Sequence, residues 1–417
     1  MRLAGVVAVA LGAASINAGP SARRERGSEL GGGRASEPLI RVLISSNTPV
    51  RGIAAPGGFV LSDAGGNLVA RARAGEAWRV EHDGRRVRAV RPDGVPTVWM
   101  DEAIRVHPVG DGLLSVGGKP YRGDMLLSGG DSGVVTINVL AMDEYLRGVV
   151  PLEMGDLAPA EAAAAEAQAV AARSYAFIHL DRSRPYDVTG GTSDQLYGGA
   201  AAETAVSSSA VDATRGLVLL YAGRVVNAPY HAVCGGSTAA ASEVWRSNDE
   251  PYLQSVSDRI PGTNRYYCDL SPRFRWTRTL DGATLDAALA RYLATYVAVP
   301  GRDPGRARAV TVGSHTPSGR VGTLTITTDR GNFVLRGNDM RFVLRPPGGE
   351  ILNSTYFSVE TTVGMNGTVA QLTLRGMGYG HGVGMCQWGA IGRARAGQDY
   401  QTILRAYYPG TSIGPAQ

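Results

Sequence analysis

The chain has 417 residues and a mass of 43.7 kDa, which is enough to bury one large core or two to three smaller ones. Its formal net charge of +5 is carried mostly by arginine and fits an anionic partner or serves solubility alone. No basic run is interleaved with aromatic residues, which argues against nucleic acid as a partner. The 56 glycines often separate short Val, Thr, Leu and Ile runs, so the composition predicts much β structure and many turns.

The N-terminus has the pattern of an export signal. Arg2 precedes an apolar stretch at residues 3–16 and a small-residue exit near Ala18, so we predict a signal peptide over residues 1–18 and a linker over 19–38. The stretch is too short to span a bilayer comfortably, and no cysteine suited to a lipid anchor follows it. The alternative is a disordered N-terminal tail. The signal peptide predicts an exported protein of the periplasm or cell envelope, without stable membrane insertion after cleavage.

Residues 39–125 form a predicted β-rich N-terminal region. A strand-like opening at 39–45 is followed by short apolar runs that alternate with Gly, Asp and Pro. Asp83 and Gly84 are a hairpin signal between two of these runs.

Residues 149–178 combine one carboxylate with a long alanine-rich segment. Pro159 suits the first turn of a helix, and Ala, Glu, Gln and Arg then predict roughly five helical turns. Glu153 lies in the predicted turn between an apolar run and this helix. We expect the apolar surroundings to raise the pKa of Glu153 towards the value that a general acid needs. The alternative is a surface glutamate in a strand-to-helix turn.

The remainder of the chain mixes predicted strands with a few helices. Strands are predicted at residues 217–221, 225–230, 308–312, 321–327, 332–335 and 371–375. Helices are predicted at 280–297 and from Gln387 onward. The fold class is therefore α+β.

Three cysteines, Cys234, Cys268 and Cys386, would meet an oxidising compartment in an exported protein. We predict a disulfide between Cys234 and Cys268, which leaves one thiol free. His231 and Cys234 form an H-x-x-C step that could start a zinc site, but two ligands do not complete one. We therefore predict no metal and no cofactor.

Several catalytic signatures are missing from the sequence. It has no G-x-S-x-G elbow, no P-loop, no H-E-x-x-H and no paired C-x-x-C. The glycine-rich loop GMGYGHGVGM has a glycine at every second position, which lets a backbone pass close to another chain or a ligand. His381 lies in this loop, where its ring either contacts a ligand or is satisfied by backbone groups.

A set of motifs resembles the stage II sporulation protein D family. The motifs are YLRGVVPLEM (145–154), AQAVAARSYA (167–176), DQLYGG (194–199), YHAVCGGSTAAASEVW (230–245), SGRV (318–321), NSTYF (353–357) and GYGHGVGMCQWGA (378–390). They occur in the family order between about Leu39 and Ile413. The resemblance implies a catalytic region over residues 126–417, with a strand-rich insertion at about 300–345.

The resemblance implies a lytic transglycosylase that cleaves the bond between N-acetylmuramic acid and N-acetylglucosamine in peptidoglycan glycan strands. Glu153 matches the family's catalytic glutamate and would act as both acid and base. One carboxylate is chemically sufficient, because the 6-hydroxyl of the muramoyl residue is the nucleophile and closes a 1,6-anhydro ring. Nothing in the sequence marks a second carboxylate as its partner.

Further residues matching the family motifs are candidates for binding the substrate. They are Gln168, Arg173, Tyr197, Tyr230, His231, Ser237, Tyr379, His381 and Gln387. Arg173 fits a contact with a sugar substituent and a supporting role in the fold equally well. Aromatic residues at turns also commonly cover the edge of a core.

The chain departs from part of the family in two places. Some members have a Cys and a His-Cys pair, linked with zinc, where this chain has DVTGGTSDQ at residues 187–195. Cys386 stands where serine is common and is predicted to be a small buried residue. Two alternatives to catalysis remain: a glycan-binding modifier or enhancer of another wall hydrolase, and a scaffold in envelope assembly. A wall amidase that removes stem peptides is a predicted partner.

Overall fold

The computed structural model describes residues 37–48, 52–131 and 133–416. The predicted signal peptide and residues 19–36 of the predicted linker lie outside these residues. Strands and helices alternate along the described chain, which confirms the predicted α+β class. No described helix is both long and apolar enough to cross a membrane.

The chain divides into two compact units. We call the described chain from Glu37 to Val149 together with His179–Glu203 the N-terminal unit, and Val150–Ile178 together with the described chain from Thr204 onward the C-terminal unit. None of the three breaks in the chain, after Val149, Ile178 and Glu203, coincides with the predicted boundary at residue 125. The strand Asp124–Gly130 pairs with Gly133–Ala141, so one sheet continues past that position.

The N-terminal unit is built almost entirely from strands. They are β1 Leu39–Thr48, β2 Ile53–Ala54, β3 Phe59–Ser62, β4 Leu68–Ala72, β5 Ala77–Asp83, β6 Arg86–Val90, β7 Ile104–Pro108, β8 Leu114–Val116, β9 Lys119–Tyr121, β10 Asp124–Gly130, β11 Gly133–Ala141 and β12 Val188–Thr189, with a 3₁₀ turn at Gly199–Ala202. One sheet has the order β12-β1-β11-β10-β7-β3-β4 and another has the order β6-β5-β2-β8-β9.

The predicted hairpin of β5 and β6 is present. Asp83 pairs with Arg86, and Gly84 in the turn has a φ of +58° that glycine adopts without a steric cost. Along β5, Trp78 and Val80 alternate with exposed residues and are buried in the core. The alternating pattern in the sequence therefore fixes which face of this hairpin is buried.

Helix α1, Met142–Met154, begins in the N-terminal unit and ends in the C-terminal unit. Its buried residues Tyr145, Leu146, Val149 and Val150 recur at helical spacing, and two acidic residues occupy its first turn. The apolar run and turn predicted before Glu153 are wrong, because Val149 and Val150 complete the buried stripe of a helix while Leu152 is exposed.

The C-terminal unit contains the remaining helices and strands. The helices are α2 Ala162–Ile178, α3 Ala205–Ala213, α4 Ala241–Val244, α5 Gly282–Tyr292, α6 Asp339–Val343, α7 Gln387–Arg395 and α8 Tyr400–Tyr407, with 3₁₀ turns at Pro159–Glu161, Tyr267–Leu270, Leu293–Thr295 and Pro300–Arg302. The strands are β13 Leu217–Tyr221, β14 Arg224–Val225, β15 Tyr230–His231, β16 Arg275–Asp281, β17 Ala307–His315, β18 Val321–Thr328, β19 Asn332–Arg336, β20 Phe357–Val363, β21 Val369–Met377, β22 Met385–Cys386 and β23 Ser412–Pro415.

These strands form four small sheets. Their orders are β14-β13-β23, β15-β22, β16-β21-β20 and β17-β18-β19. A continuous core that includes Leu285, Leu324 and Leu374 joins the last two sheets to α5 and α6. The predicted single strand at 225–230 is wrong: β14 and β15 are separate, and Pro229 between them has no N–H to donate to a ladder.

Helix α2 is buried on nearly every side. Most of its residues from Ala164 to Ala176 are inaccessible, and most of them are alanines. Small side chains let α3, α7 and α8 pack closely around α2. The alanine-rich sequence therefore marks a central helix, and a polar side chain on it is held in a fixed place.

Candidate functional site

Glu153 lies in the last turn of α1. The helix ends at Met154, and Gly155 adopts a φ of +78° while its N–H donates to the carbonyl of Pro151 at 2.9 Å. Glu153 is buried, with 6% of its surface exposed. The predicted turn at this position is therefore a helix end, where the free carbonyl groups disfavour an added negative charge.

Gln387 connects Glu153 to α2. Its Nε2 donates to Glu153 Oε2 at 3.3 Å and lies 3.5 Å from Oε1 of Gln168, which it can also donate to. Gln168 and Gln387 are both buried, at 0% and 2% exposure. Three predicted site residues from distant parts of the sequence thus form one hydrogen-bonded group.

The start of α7 fixes the position of Gln387. Gln387 is the first residue of the helix, and the Sγ atom of Cys386 caps the helix by accepting the N–H of Gly389 at 3.3 Å. A Cβ at position 389 would lie 2.0 Å from the hydroxyl of Tyr407, so glycine is needed for this close approach. The orientation of Gln387 therefore depends on what holds Cys386.

The two glutamines retain unused hydrogen-bonding atoms. Oε1 of Gln387 and Nε2 of Gln168 are buried without a hydrogen-bond partner in the described structure. A buried polar atom without a partner costs about 1–3 kcal/mol. A ligand hydroxyl both donates and accepts a hydrogen bond. It can therefore pair with this acceptor and this donor beside the carboxylate.

Arg173 has a structural position. Its Nη1 donates to the carbonyl of Leu217 at 2.9 Å and its Nη2 to that of Val211 at 3.4 Å. The side chain is buried at 3% exposure. Of the two roles predicted for Arg173, these bonds fit support of the fold, because they tie α2 to α3 and β13.

Two predicted histidines lie at the short parallel pair of β15 and β22: His231 is part of β15, and His381 precedes β22. His381 accepts the N–H of Val383 through Nδ1 at 3.1 Å and donates from Nε2 to the carbonyl of Tyr230 at 2.8 Å. Burial, with His231 nearby, keeps the pKa of His381 well below its usual value, so the ring is neutral. Since backbone groups use both nitrogens, the geometry fits the alternative in which His381 shapes the glycine-rich loop.

His231 is fully buried, and its Nδ1 lies 3.1 Å from the carbonyl of Val383. Burial lowers the pKa of His231 as well. The hydroxyl of Ser237 is 3.3 Å from the carbonyl of Val256. The ring of Tyr379 is half-buried under the guanidinium of Arg273 at 4.5 Å.

Tyr197 belongs to the N-terminal unit. It is buried at 8% exposure, its hydroxyl donates to Oδ1 of Asn138 at 2.7 Å, and its ring lies 5.2 Å from that of Tyr145. These contacts place Tyr197 in the core of that unit, as expected for an aromatic residue that covers a core edge.

The three cysteines meet in the C-terminal unit together with Asp258. All four residues are buried, and their ligand atoms lie within 4.8 Å of one another. The disulfide predicted between Cys234 and Cys268 is not formed: all three cysteines are free, and the two Sγ atoms are 3.4 Å apart. The thiol of Cys386 and the carboxylate of Asp258 lie beside these two sulfurs, and a disulfide between two cysteines would need neither of them.

Asp258 was missed at the sequence level, and Cys386 was treated as an isolated residue. Cys234 and Cys386 are 152 positions apart, and no short motif connects them to Asp258. Oδ1 of Asp258 accepts the hydroxyl of Tyr407 at 2.7 Å and faces Arg393 at 3.4 Å. Burial, with Cys234 nearby, raises the pKa of Asp258 to about 7.

A separate cavity of about 500 Å³ lies beside the sheet of β16, β21 and β20. The residues that line it include Trp276, Tyr356, Arg275 and Arg375. Aromatic faces and arginines together suit a polar ring or an anionic group.

Fold and site define an α+β protein with a buried glutamate that accepts a hydrogen bond from the amide of Gln387, which also contacts Gln168. Residues 130–221 match the family model described as Stage II sporulation protein, and residues 260–384 match a domain of unknown function, DUF8618. An uncharacterized protein of Brachyspira hyodysenteriae is 30% identical over 351 residues, which cover 81% of this chain and 87% of that protein.

Two named proteins of Bacillus subtilis are also similar. Stage II sporulation protein D is 28% identical over 331 residues, covering 75% of this chain and 85% of that protein. The amidase enhancer is 30% identical over 308 residues, covering 64% of this chain but 40% of that protein. The chain belongs to the stage II sporulation protein D family. This membership indicates a function related to sporulation or to the cell wall.

Proposed function

We propose that this chain is an exported lytic transglycosylase that cleaves peptidoglycan glycan strands between N-acetylmuramic acid and N-acetylglucosamine. The supporting observation is the group formed by Glu153, Gln387 and Gln168, in which a neutral amide donates to a buried carboxylate. A carboxyl group with little solvent contact can hold a proton near neutral pH and release it to a substrate.

In the proposed reaction, protonated Glu153 gives its proton to the glycosidic oxygen as the bond from that oxygen to C1 breaks. The resulting carboxylate accepts the proton of the muramoyl 6-hydroxyl, and the 6-oxygen forms a new bond to C1. The products are a 1,6-anhydro end and a free hydroxyl on the leaving sugar, so no water is consumed. Because the nucleophile belongs to the substrate, the step needs no second carboxylate, unlike most glycosidases.

The two glutamines have complementary parts in this reaction. Nε2 of Gln387 donates to Glu153 Oε2 and stabilises its ionised form after the first proton transfer. The unused Oε1 of Gln387 and Nε2 of Gln168 are suited to hold one substrate hydroxyl. Tyr230 and Tyr379 are half-buried and stay candidates for contact with sugar rings.

Replacing Glu153 by glutamine tests this assignment. Glu153→Gln keeps the size of the side chain and removes the proton carrier, so turnover of purified glycan strands should fall by about 10²-fold or more. The matched control is Glu166→Gln on α2. Side chains at positions 166 and 168 point to different faces of the helix, so the control should keep wild-type turnover. Wild-type turnover in Glu153→Gln would remove Glu153 from the mechanism.

A second candidate function is enhancement of a wall amidase without turnover of glycan. The similarity to the amidase enhancer favours it, as does the cavity lined by Trp276 and Arg375, which suits glycan binding. The test measures stem-peptide release by a purified wall amidase with and without this chain. Equal stimulation by the wild type and by Glu153→Gln, with glycan strands left intact, would favour the enhancer.

A further inference from the structure

We propose that Cys234, Cys268, Cys386 and Asp258 bind one zinc ion, which anchors the N-terminus of α7. This site is separate from the Glu153 group, and the proposal does not depend on the proposed activity. The group of close ligand atoms contains Cys234 but not His231, the other half of the H-x-x-C step.

The distances within the cluster approach those of a tetrahedral zinc site. With Zn–S bonds of about 2.3 Å and a Zn–O bond of about 2.0 Å, tetrahedral geometry separates two sulfurs by about 3.8 Å and a sulfur from an oxygen by about 3.5 Å. The Sγ atoms of Cys234 and Cys268 are 3.4 Å apart, and Sγ of Cys234 is 3.7 Å from Oδ2 of Asp258. Three sulfurs and one oxygen are a ligand set that suits zinc.

Surrounding groups are arranged to hold these ligands in their metal-binding forms. Backbone N–H groups point at sulfur: that of Cys234 lies 3.1 Å from Sγ of Cys386, and that of Gly236 lies 3.4 Å from Sγ of Cys234. Tyr407 and Arg393 hold Oδ1 of Asp258 and leave Oδ2 facing the thiols. Such outer partners orient the ligands of a metal site.

The charges around the cluster also fit a bound cation with thiolate ligands. Three thiolates and one carboxylate exceed the charge of one zinc ion by about two negative charges. Two buried guanidinium groups stand nearby. Arg393 faces Asp258 at 3.4 Å, and Arg320 donates to the carbonyl of Cys234 at 2.8 Å. Nε and Nη1 of Arg320 are buried without a hydrogen-bond partner in the described structure, and anionic surroundings reduce the cost of burying them.

A zinc ion at this position would control the geometry of the next residue. Cys386 supplies a ligand and caps α7, and Gln387 directly follows it and bonds to Glu153. Cys268 and Asp258 connect the same ion to the loop and 3₁₀ turn that pack on α7. The four ligands are therefore positioning residues for Gln387.

The test is the metal content of the full chain, purified in the presence of a thiol reductant without chelators. We expect about one zinc per chain. Replacement of zinc by Co²⁺ should give the intense absorption of a tetrahedral cobalt–thiolate centre. Asp258→Asn and Cys268→Ser should each lose most of the bound metal. The matched control, Asp187→Asn, removes a buried aspartate from the N-terminal unit and should keep the zinc.

Two results would overturn the proposal, and both come from the wild type, so neither requires a variant to fold. The first is less than a tenth of a zinc per chain both as purified and after reduction and addition of Zn²⁺. The second is a Cys234–Cys268 disulfide in protein whose thiols are trapped with acid and alkylated directly from cells. Zinc retained in Asp258→Asn and in Cys268→Ser alike would overturn the assigned ligands.

Discussion

The Glu153 group and the cysteine cluster are joined through two consecutive residues, Gln387 and Cys386. The two sites differ in whether their buried polar atoms have hydrogen-bond partners. Around Glu153, one amide oxygen and one amide nitrogen have no partner in the described structure. In the cluster, backbone N–H groups and the hydroxyl of Tyr407 hold the thiols and Asp258. Unused polar atoms suit a ligand that comes and goes, whereas ligand side chains held by outer hydrogen-bond partners suit a permanent ion.

Damage at the two sites should have different consequences. Loss of the cluster should lower stability and disturb catalysis indirectly, through the start of α7. Loss of the Glu153 group should remove catalysis and leave stability nearly intact.

The largest effect is expected from removing zinc. A structural zinc ion contributes folding free energy directly, so a strong chelator should lower the free energy of unfolding by several kcal/mol. Thermal unfolding of the wild type with and without chelator measures this loss. The Glu153→Gln variant should show the same loss, because it retains the metal. An unchanged melting temperature on complete metal removal would show that the cluster does not stabilise the fold through zinc.

A smaller effect is expected at Gln387. Gln387→Leu removes the amide that donates to Glu153, and a hydrogen bond to a charged group contributes about 1.5–3 kcal/mol, so kcat should fall roughly 10–100-fold. The bound zinc should stay at the wild-type level. Gln401→Leu on α8 is the control with the same change of side chain and should keep wild-type kcat. Equal losses of kcat in both variants would show that the bond to Glu153 is unimportant.

The smallest effect concerns acid pH. Burial opposes ionisation of Asp187, but hydrogen bonds from Arg41 outweigh it and lower its pKa below 3.8. The stabilisation by this pair is therefore complete above pH 3.8 and is lost as the pH falls through the lower folded value. Protons compete with zinc for thiolates at higher pH, so metal release should come first during acidification. Parallel acid titrations of bound zinc and of unfolding measure the order. Unfolding that precedes zinc release would contradict the predicted order.

Local patterns were enough to predict the α+β class, the β5–β6 hairpin and the alanine-rich helix. Alternating apolar residues, the Asp83-Gly84 pair and strong helix formers act within a few residues of one another. Helix α1 was missed because Pro151 disfavours helical backbone at the residue before it, so the β-branched Val149 and Val150 fit the end of a strand. The tertiary burial of Tyr145 and Leu146 favours the helix instead.

The candidate site residues likewise fall into those that sequence motifs predict and those that only the folded chain brings together. Glu153, Gln168 and Gln387 were selected from family motifs, and the structure brings these three together. The cysteine cluster depends on chain folding that brings Cys386 beside Cys234 across 152 positions, and Asp258 has no motif of its own. No local spacing could distinguish a metal site from a disulfide here.

In the proposed reaction, Glu153 activates a hydroxyl of the substrate as the nucleophile. Digestion of purified glycan strands in water enriched with heavy oxygen, followed by mass spectrometry of the new ends, distinguishes this hydroxyl from water. We expect 1,6-anhydro-muramoyl ends without the heavy isotope, made by the wild type and greatly reduced in Glu153→Gln. Reducing muramoyl ends that carry heavy oxygen would show that water is the nucleophile and that the proposed reaction is wrong.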